Sequence, residues 1–145
     1  MTALGDGSPQ YEAADGDGAS QGATVLQQSF DAGNLSALRQ MVAVHAAGLG
    51  LRGDRLGGFV LAVNELATNA VQYSGGGRLT LWHQANRLWC RLTNHHATPT
   101  RPVITRQRPP ADATSGRGLW LVAQLCDHVT VHHGDSAVVT VAVQL

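Results

Sequence analysis

The run Leu56–Tyr73 restricts the fold of this chain more than any other stretch. It contains no proline and at helical rise covers about five turns, which predicts a helix. Phe59, Val60, Leu61, Val63, Leu66, Ala67, Ala70 and Val71 occupy most of its circumference, the pattern of a helix buried on nearly all sides. One polar stripe interrupts it. Asn64 and Glu65 sit one turn before Thr68 and Asn69, so Glu65 and Asn69 project to the same side. A carboxylate on a mostly buried helix costs free energy unless it is paired or faces a wet cavity. Glu65 is also the only glutamate after Glu12. The reading that satisfies both facts is a cavity wall lined by Glu65 and Asn69. The plainer one is the solvated edge of an amphipathic helix, and the rest of the chain must decide.

A length of 145 residues suits one domain with a single core. Formal net charge is zero, which gives no electrostatic footprint for direct nucleic-acid or anionic-membrane binding. No apolar run reaches the roughly 20 residues that span a bilayer, and the N-terminus lacks the pattern of a secretory signal. Two cysteines, Cys90 and Cys126, make no disulfide framework. A cytoplasmic protein is the expectation.

Residues 1–22 are rich in Gly, Asp, Ser and Ala and are expected to form a disordered tail, because they cannot bury enough surface to offset ordering entropy. The domain is expected over 23–145. Ala23–Phe30 reads as a strand. Asp31 to Asn34 reads as a turn, with Asn34 as the N-cap of a following helix. That helix carries Leu35, Leu38, Met41, Val42, His45 and Leu49 at helical spacing and ends at Gly48 and Gly50. His45 lies on its apolar side and is expected to be a satisfied core histidine. Asp54 is placed as the cap of the central helix, and Tyr73-Ser-Gly-Gly-Gly77 as its stop.

Leu79, Leu81 and His83 then alternate with Arg78, Thr80 and Trp82. After the turn Gln84-Ala-Asn-Arg87, Leu88, Cys90 and Leu92 alternate with Trp89, Arg91 and Thr93. Period two on both sides of a short turn reads as a β-hairpin. Cys90 shares the leucine face and is expected to be a small core residue. From Asn94 to Gly116 the pattern fails. The segment holds four of the five prolines, and a loop this long reads as a lid or binding loop, against a floppy insertion. Gly116-Arg-Gly118 next precedes an apolar helix, where glycines let amides approach a ligand and a helix N-terminus attracts anions. A second hairpin ends the chain, with Val129 and Val131 leading to Val139, Val141 and Val143. The pairs His95-His96 and His132-His133 have no recognised zinc spacing.

This order of elements, with Asn64-Glu65-Leu-Ala-Thr-Asn69-Ala70 and later Gly116-Arg-Gly-Leu119, resembles the ATP-binding domain of gyrase-type ATPases and sensor histidine kinases. Within that superfamily it is most similar to the small bacterial anti-sigma factor serine/threonine kinases. The resemblance covers roughly 23–145. It implies an α+β fold, a two-layer sandwich with a mixed β-sheet and helices on one face (the Bergerat-type ATPase fold), with ATP and Mg2+ as cofactors. By position, Asn69 matches the magnesium-binding asparagine and Glu65 the carboxylate proposed as general base. Gly116 and Gly118 match the glycines closing the nucleotide lid, Leu119 opens the next helix, and Arg117 between them reaches toward a phosphate. The implied partners are a sigma factor and an anti-sigma antagonist. The family often dimerises, so a homodimer is among the expected states.

The chain departs from the family where Asp-x-Gly-x-Gly is the pattern. Here Asn94 stands for the aspartate that receives the adenine amino group, and His96 and Thr98 replace the glycines. An asparagine amide can accept from that amino group and donate to a ring nitrogen, without the strength that a charge adds. His96 either crowds the adenine or stacks on it. The alternative reading is therefore a partner-binding module that has lost catalysis and binds ATP weakly or not at all. A sensor histidine kinase fits less well, because no helical hairpin with a phospho-acceptor histidine precedes Ala23.

Overall fold

The computed structural model describes residues 22–94, 117–133 and 137–145. The N-terminal tail, the proline-rich segment, the His95-His96 pair, Thr98 and Gly116 lie outside the described residues. Five strands, β1 (Ala23–Asp31), β2 (Gly76–Gln84), β3 (Arg87–Asn94), β4 (His128–His133) and β5 (Ala137–Gln144), form one sheet in the order β1-β2-β3-β5-β4. Three helices accompany them: α1 (Leu35–Gly48), α2 (Gly53–Ser74) and α3 (Arg117–Leu125).

The α+β two-layer arrangement with helices on one face is observed. The mixed sheet is not, since every pairing is antiparallel. The reason is an insertion. β4 follows α3 and runs parallel to β3, but β5 turns back and slots between them. The two parallel strands therefore never pair.

The core sits between the layers. Phe59, Ala62, Val63, Leu66, Ala67 and Ala70 of α2 meet Leu79 and Leu81 of β2, Leu88, Cys90 and Leu92 of β3, and Val139, Val141 and Val143 of β5. Leu38, Val42 and Ala46 of α1 and Val122 of α3 complete it. Each fully buried Leu, Val or Phe contributes about 2 kcal/mol relative to exposure. α2 and α3 approach closely at Gly58, where a Cβ would stand 3.1 Å from Leu125 Cδ2.

Local chemistry differs from expectation at two points. Asn34 occupies the N-cap of α1 but makes no side-chain bond to that helix. Its Oδ1 instead accepts from Asp31 N–H at 2.8 Å and its Nδ2 donates to Ser29 O at 3.1 Å, so it braces the turn. α2 begins at Gly53, one turn before the apolar periodicity starts. Asp54 therefore lies in the first turn, where a carboxylate favours the positive end of the helix dipole, and Arg52 holds the cap position. The stop is as read: Gly75, at φ +82°, donates its N–H to Val71 O, the left-handed cap that suits glycine. The β2–β3 turn places Ala85 and Asn86 at φ 53° and 59°, the type I′ geometry that matches strand twist. His45 Nδ1 lies 2.7 Å from Met41 O. A carbonyl only accepts, so this nitrogen carries the proton and the histidine is satisfied within α1.

Candidate functional site

A cleft opens between α2 and the facing ends of β3 and β5. Leu66, Asn69, Ala70 and Tyr73 line it from the helix, Leu92 and Asn94 from β3, and Val139 from β5. Periodicity explains the set. The helix residues recur at i, i+3, i+4 and i+7 and so share one face. Leu92 and Asn94 are two apart on a strand and point the same way. Val139 stands opposite Leu92 in the β3–β5 register.

Asn69 and Asn94, 25 residues apart in the chain, thus meet in one cleft from opposite layers. Asn94 ends β3 opposite Gly77. A Cβ on Gly77 would fall 2.3 Å from Thr93 O, so glycine is what lets β2 run close enough to hold Asn94 in register. Tyr73 is one of the cleft residues that sequence reasoning missed as part of the site, with Leu66, Ala70, Leu92 and Val139. The signal for Tyr73 was present, one turn beyond Asn69 on the same helical face.

Glu65 is half-buried on α2, one turn before Asn69. It stands beside the cleft and not among its lining residues. The adjacent Asn64 accepts a hydrogen bond at 3.2 Å from Arg39 of α1. A guanidinium is thereby anchored beside this stretch of α2, a contact that no periodicity signalled. Arg117, Gly118 and Leu119 form the first turn of α3. The helix opens at Arg117, so Gly118 lies inside the first turn and does not precede it. A first turn leaves amides without helical partners, which suits an anion.

Both thiols belong to the core. Cys90 is fully buried, and burial, with Cys126 nearby, holds its pKa well above the ordinary value. Burial pushes Cys126 up to about 12, with the adjacent Asp127 carboxylate adding to the rise. Neither offers a thiolate nucleophile at neutral pH.

The cleft holds only about 10 Å³, room for one water and not for a base. The groups along it are of the kind that a nucleotide with magnesium uses: Leu66, Ala70, Leu92 and Val139 are apolar, and Asn94 carries an acceptor and a donor on one amide. Asn69 offers an amide oxygen, a hard ligand suited to magnesium that keeps waters and phosphate oxygens as its other ligands. Among the described residues, no helix is long and apolar enough to cross a membrane.

A search of curated proteins found no match to the chain. The family model of the histidine kinase-like ATPase domain matches residues 29–143, taking in every strand and helix in whole or in part. Domains of this family generally bind ATP with Mg2+. The chain therefore belongs to the histidine kinase-like ATPase domain family.

Proposed function

We propose that this ATP-binding domain is an anti-sigma factor with serine/threonine kinase activity on an anti-sigma antagonist. The observation that carries the reading is the convergence of Asn69 and Asn94 on one cleft, with Glu65 one helical turn behind Asn69. Asn94 takes the adenine edge, accepting from its amino group and donating to a ring nitrogen. Asn69 would hold a magnesium ion through its amide oxygen, and the ion, when bound, would supply neutralisation of phosphate charge. Phosphoryl transfer depends chiefly on positioning and charge, so few catalytic groups are needed. Glu65 orients the acceptor hydroxyl and takes its proton. The glycines Gly116 and Gly118 would let amides approach the phosphates, Arg117 would add a cation beside them, and Leu119 follows them in the first turn of α3.

The acceptor is a serine or threonine of the antagonist. Phosphorylating it releases the kinase to hold a sigma factor. We place the protein in the cytoplasm, with a homodimer as a candidate working state. The direct test mixes the protein with Mg-ATP carrying a labelled γ-phosphate and a co-encoded antagonist. Label on a hydroxyl of the antagonist, lost with Glu65→Ala, is the expected result. Transfer unchanged by Glu65→Ala overturns the role of Glu65, and no transfer at all overturns the kinase reading.

A second reading is favoured by one feature, the neutral Asn94 where the family pattern has an acid. In it the fold is kept as a binding module without catalysis. That reading expects partner binding that ignores Asn69→Ala, and any measured phosphoryl transfer rejects it.

A further inference from the structure

The sheet face away from the helices carries an unusual arrangement. In register across it lie Thr24, Trp82, Trp89, Ala142 and His128. Trp82 and Trp89 are stacked at 5.8 Å between ring centroids, and the Arg91 guanidinium sits 4.9 Å over the Trp82 ring. Trp89 also touches the His128 ring at 5.2 Å. Trp82 is only 3 % exposed, although the buried faces of α1, α2 and α3 meet the other side of the sheet.

This face is cationic. Its cations are Arg78, Arg87 and Arg91, at outward positions of β2 and β3, and the outward positions of β4 include the uncharged polar side chains of His128 and His132. Arg78 and Arg87 bond to the neutral amide oxygens of Gln27 and Gln144. The acids at the margins are engaged elsewhere. Asp31 accepts from Gly33 N–H at 2.9 Å, and Asp127 accepts from Gln144 N–H at 2.7 Å and pairs with Arg55. No other outward strand position among the described residues is an acid.

Four of the ten acidic residues lie in one short segment. Residues 1–21 hold Asp6, Glu12, Asp15 and Asp17 and neither Arg nor Lys. Their apolar residues include Leu4 and Tyr11. The described chain begins at the aromatic corner itself. Ala23 pairs with His83, and Thr24 with Trp82. Crossing from β1 to β4 takes about 19 Å at strand spacing, which about six extended residues cover.

We propose that residues 1–21 are the occupant of this face, with their carboxylates against Arg78, Arg87 and Arg91 and Tyr11 against the tryptophan stack. A segment too polar to build its own core is held here by charge and by one aromatic contact. The nucleotide cleft lies on the other side of the sheet, so this contact leaves it open. The surface takes an acidic peptide, and the chain supplies one.

The test uses the full chain with Asp6→Asn, Glu12→Gln, Asp15→Asn and Asp17→Asn together, and Asp54→Asn as a control. The indole N–H signals of Trp82 and Trp89 are followed by NMR, together with acrylamide quenching. The expected result is shifted indole signals and readier quenching in the neutralised chain, reproduced in the native chain by about 0.5 M salt, with Asp54→Asn silent. A synthetic peptide of residues 1–21 added to the neutralised chain restores the native signals. Identical signals in native and neutralised chains overturn the proposal. So does a peptide without effect, or shifts that grow with protein concentration, which would make a second copy the occupant.

Discussion

Asn69 and Asn94 line one cleft from opposite layers, and the consequences of changing them differ. On the proposed reading, removing the Asn69 amide deletes a metal ligand and leaves the apolar wall intact. Asn69→Ala is expected to weaken Mg-ATP binding at least tenfold, about 1.4 kcal/mol, with little change in melting temperature. Asn94→Asp acts the other way. A carboxylate accepts the adenine amino group by a charge-assisted bond, which is about twice as strong. Nucleotide affinity is expected to rise by about 1 kcal/mol, roughly fivefold, read by calorimetry. Glu65→Gln should leave binding alone and lower phosphoryl transfer by about 10²–10⁴. Asn69 was legible as a cleft residue because it sits wrongly on an otherwise apolar helix, whereas Glu65, marked by the same signal, stands beside the cleft and does not line it. Tyr73 was not legible, since a Tyr at the end of a helix reads as ordinary packing until β3 and β5 are seen beside it. Asn34 was misread because its side chain has two competing local uses, and the turn won.

At the scale of elements, two backbone positions fix the hairpin that presents Asn94. Ala85 adopts φ 53° without the polar side chain that eases this region. A left-handed alanine costs about 1 kcal/mol, so Ala85→Gly is expected to stabilise by about that amount, seen as a melting temperature higher by about 3 °C. Gly77 lacks room for any side chain. Gly77→Ala is expected to destabilise by about 2 kcal/mol and to weaken nucleotide binding by moving Asn94. Unfolding curves alongside a binding titration separate the two effects. Helix α2 and both hairpins were readable because period 3.6 and period 2 are strong local signals. Strand order was not, because the insertion of β5 between β3 and β4 is a long-range event with no local mark. The true start of α2 also escaped, since Gly53 and Asp54 precede its apolar stripe.

For the whole molecule, the two buried thiols tie stability to alkaline pH. Their folded pKa values are raised, Cys126 to about 12 from 9.0. A raised pKa means that the folded state keeps its proton where the unfolded state loses it. The contribution is complete below pH 9 and is lost as pH climbs toward 12, at up to about 1.4 kcal/mol per pH unit for each thiol. Cys126→Ala is expected to flatten that slope, measured by urea titration across pH 8 to 11. The two-layer α+β architecture was legible from element order and resemblance together. The shared cleft of Asn69 and Asn94 was legible only as a set of residues, because the sheet brings them together and neither sequence neighbourhood does.

The account rests on the amide pair in that cleft holding a nucleotide with its metal. Calorimetric titration of the full chain with Mg-ATP, beside Asn69→Ala, tests it most directly. One saturable site in the native chain, lost or at least tenfold weaker in the variant, is the expected result. A folded native chain that takes up no Mg-ATP, or a variant that binds it equally well, contradicts the account.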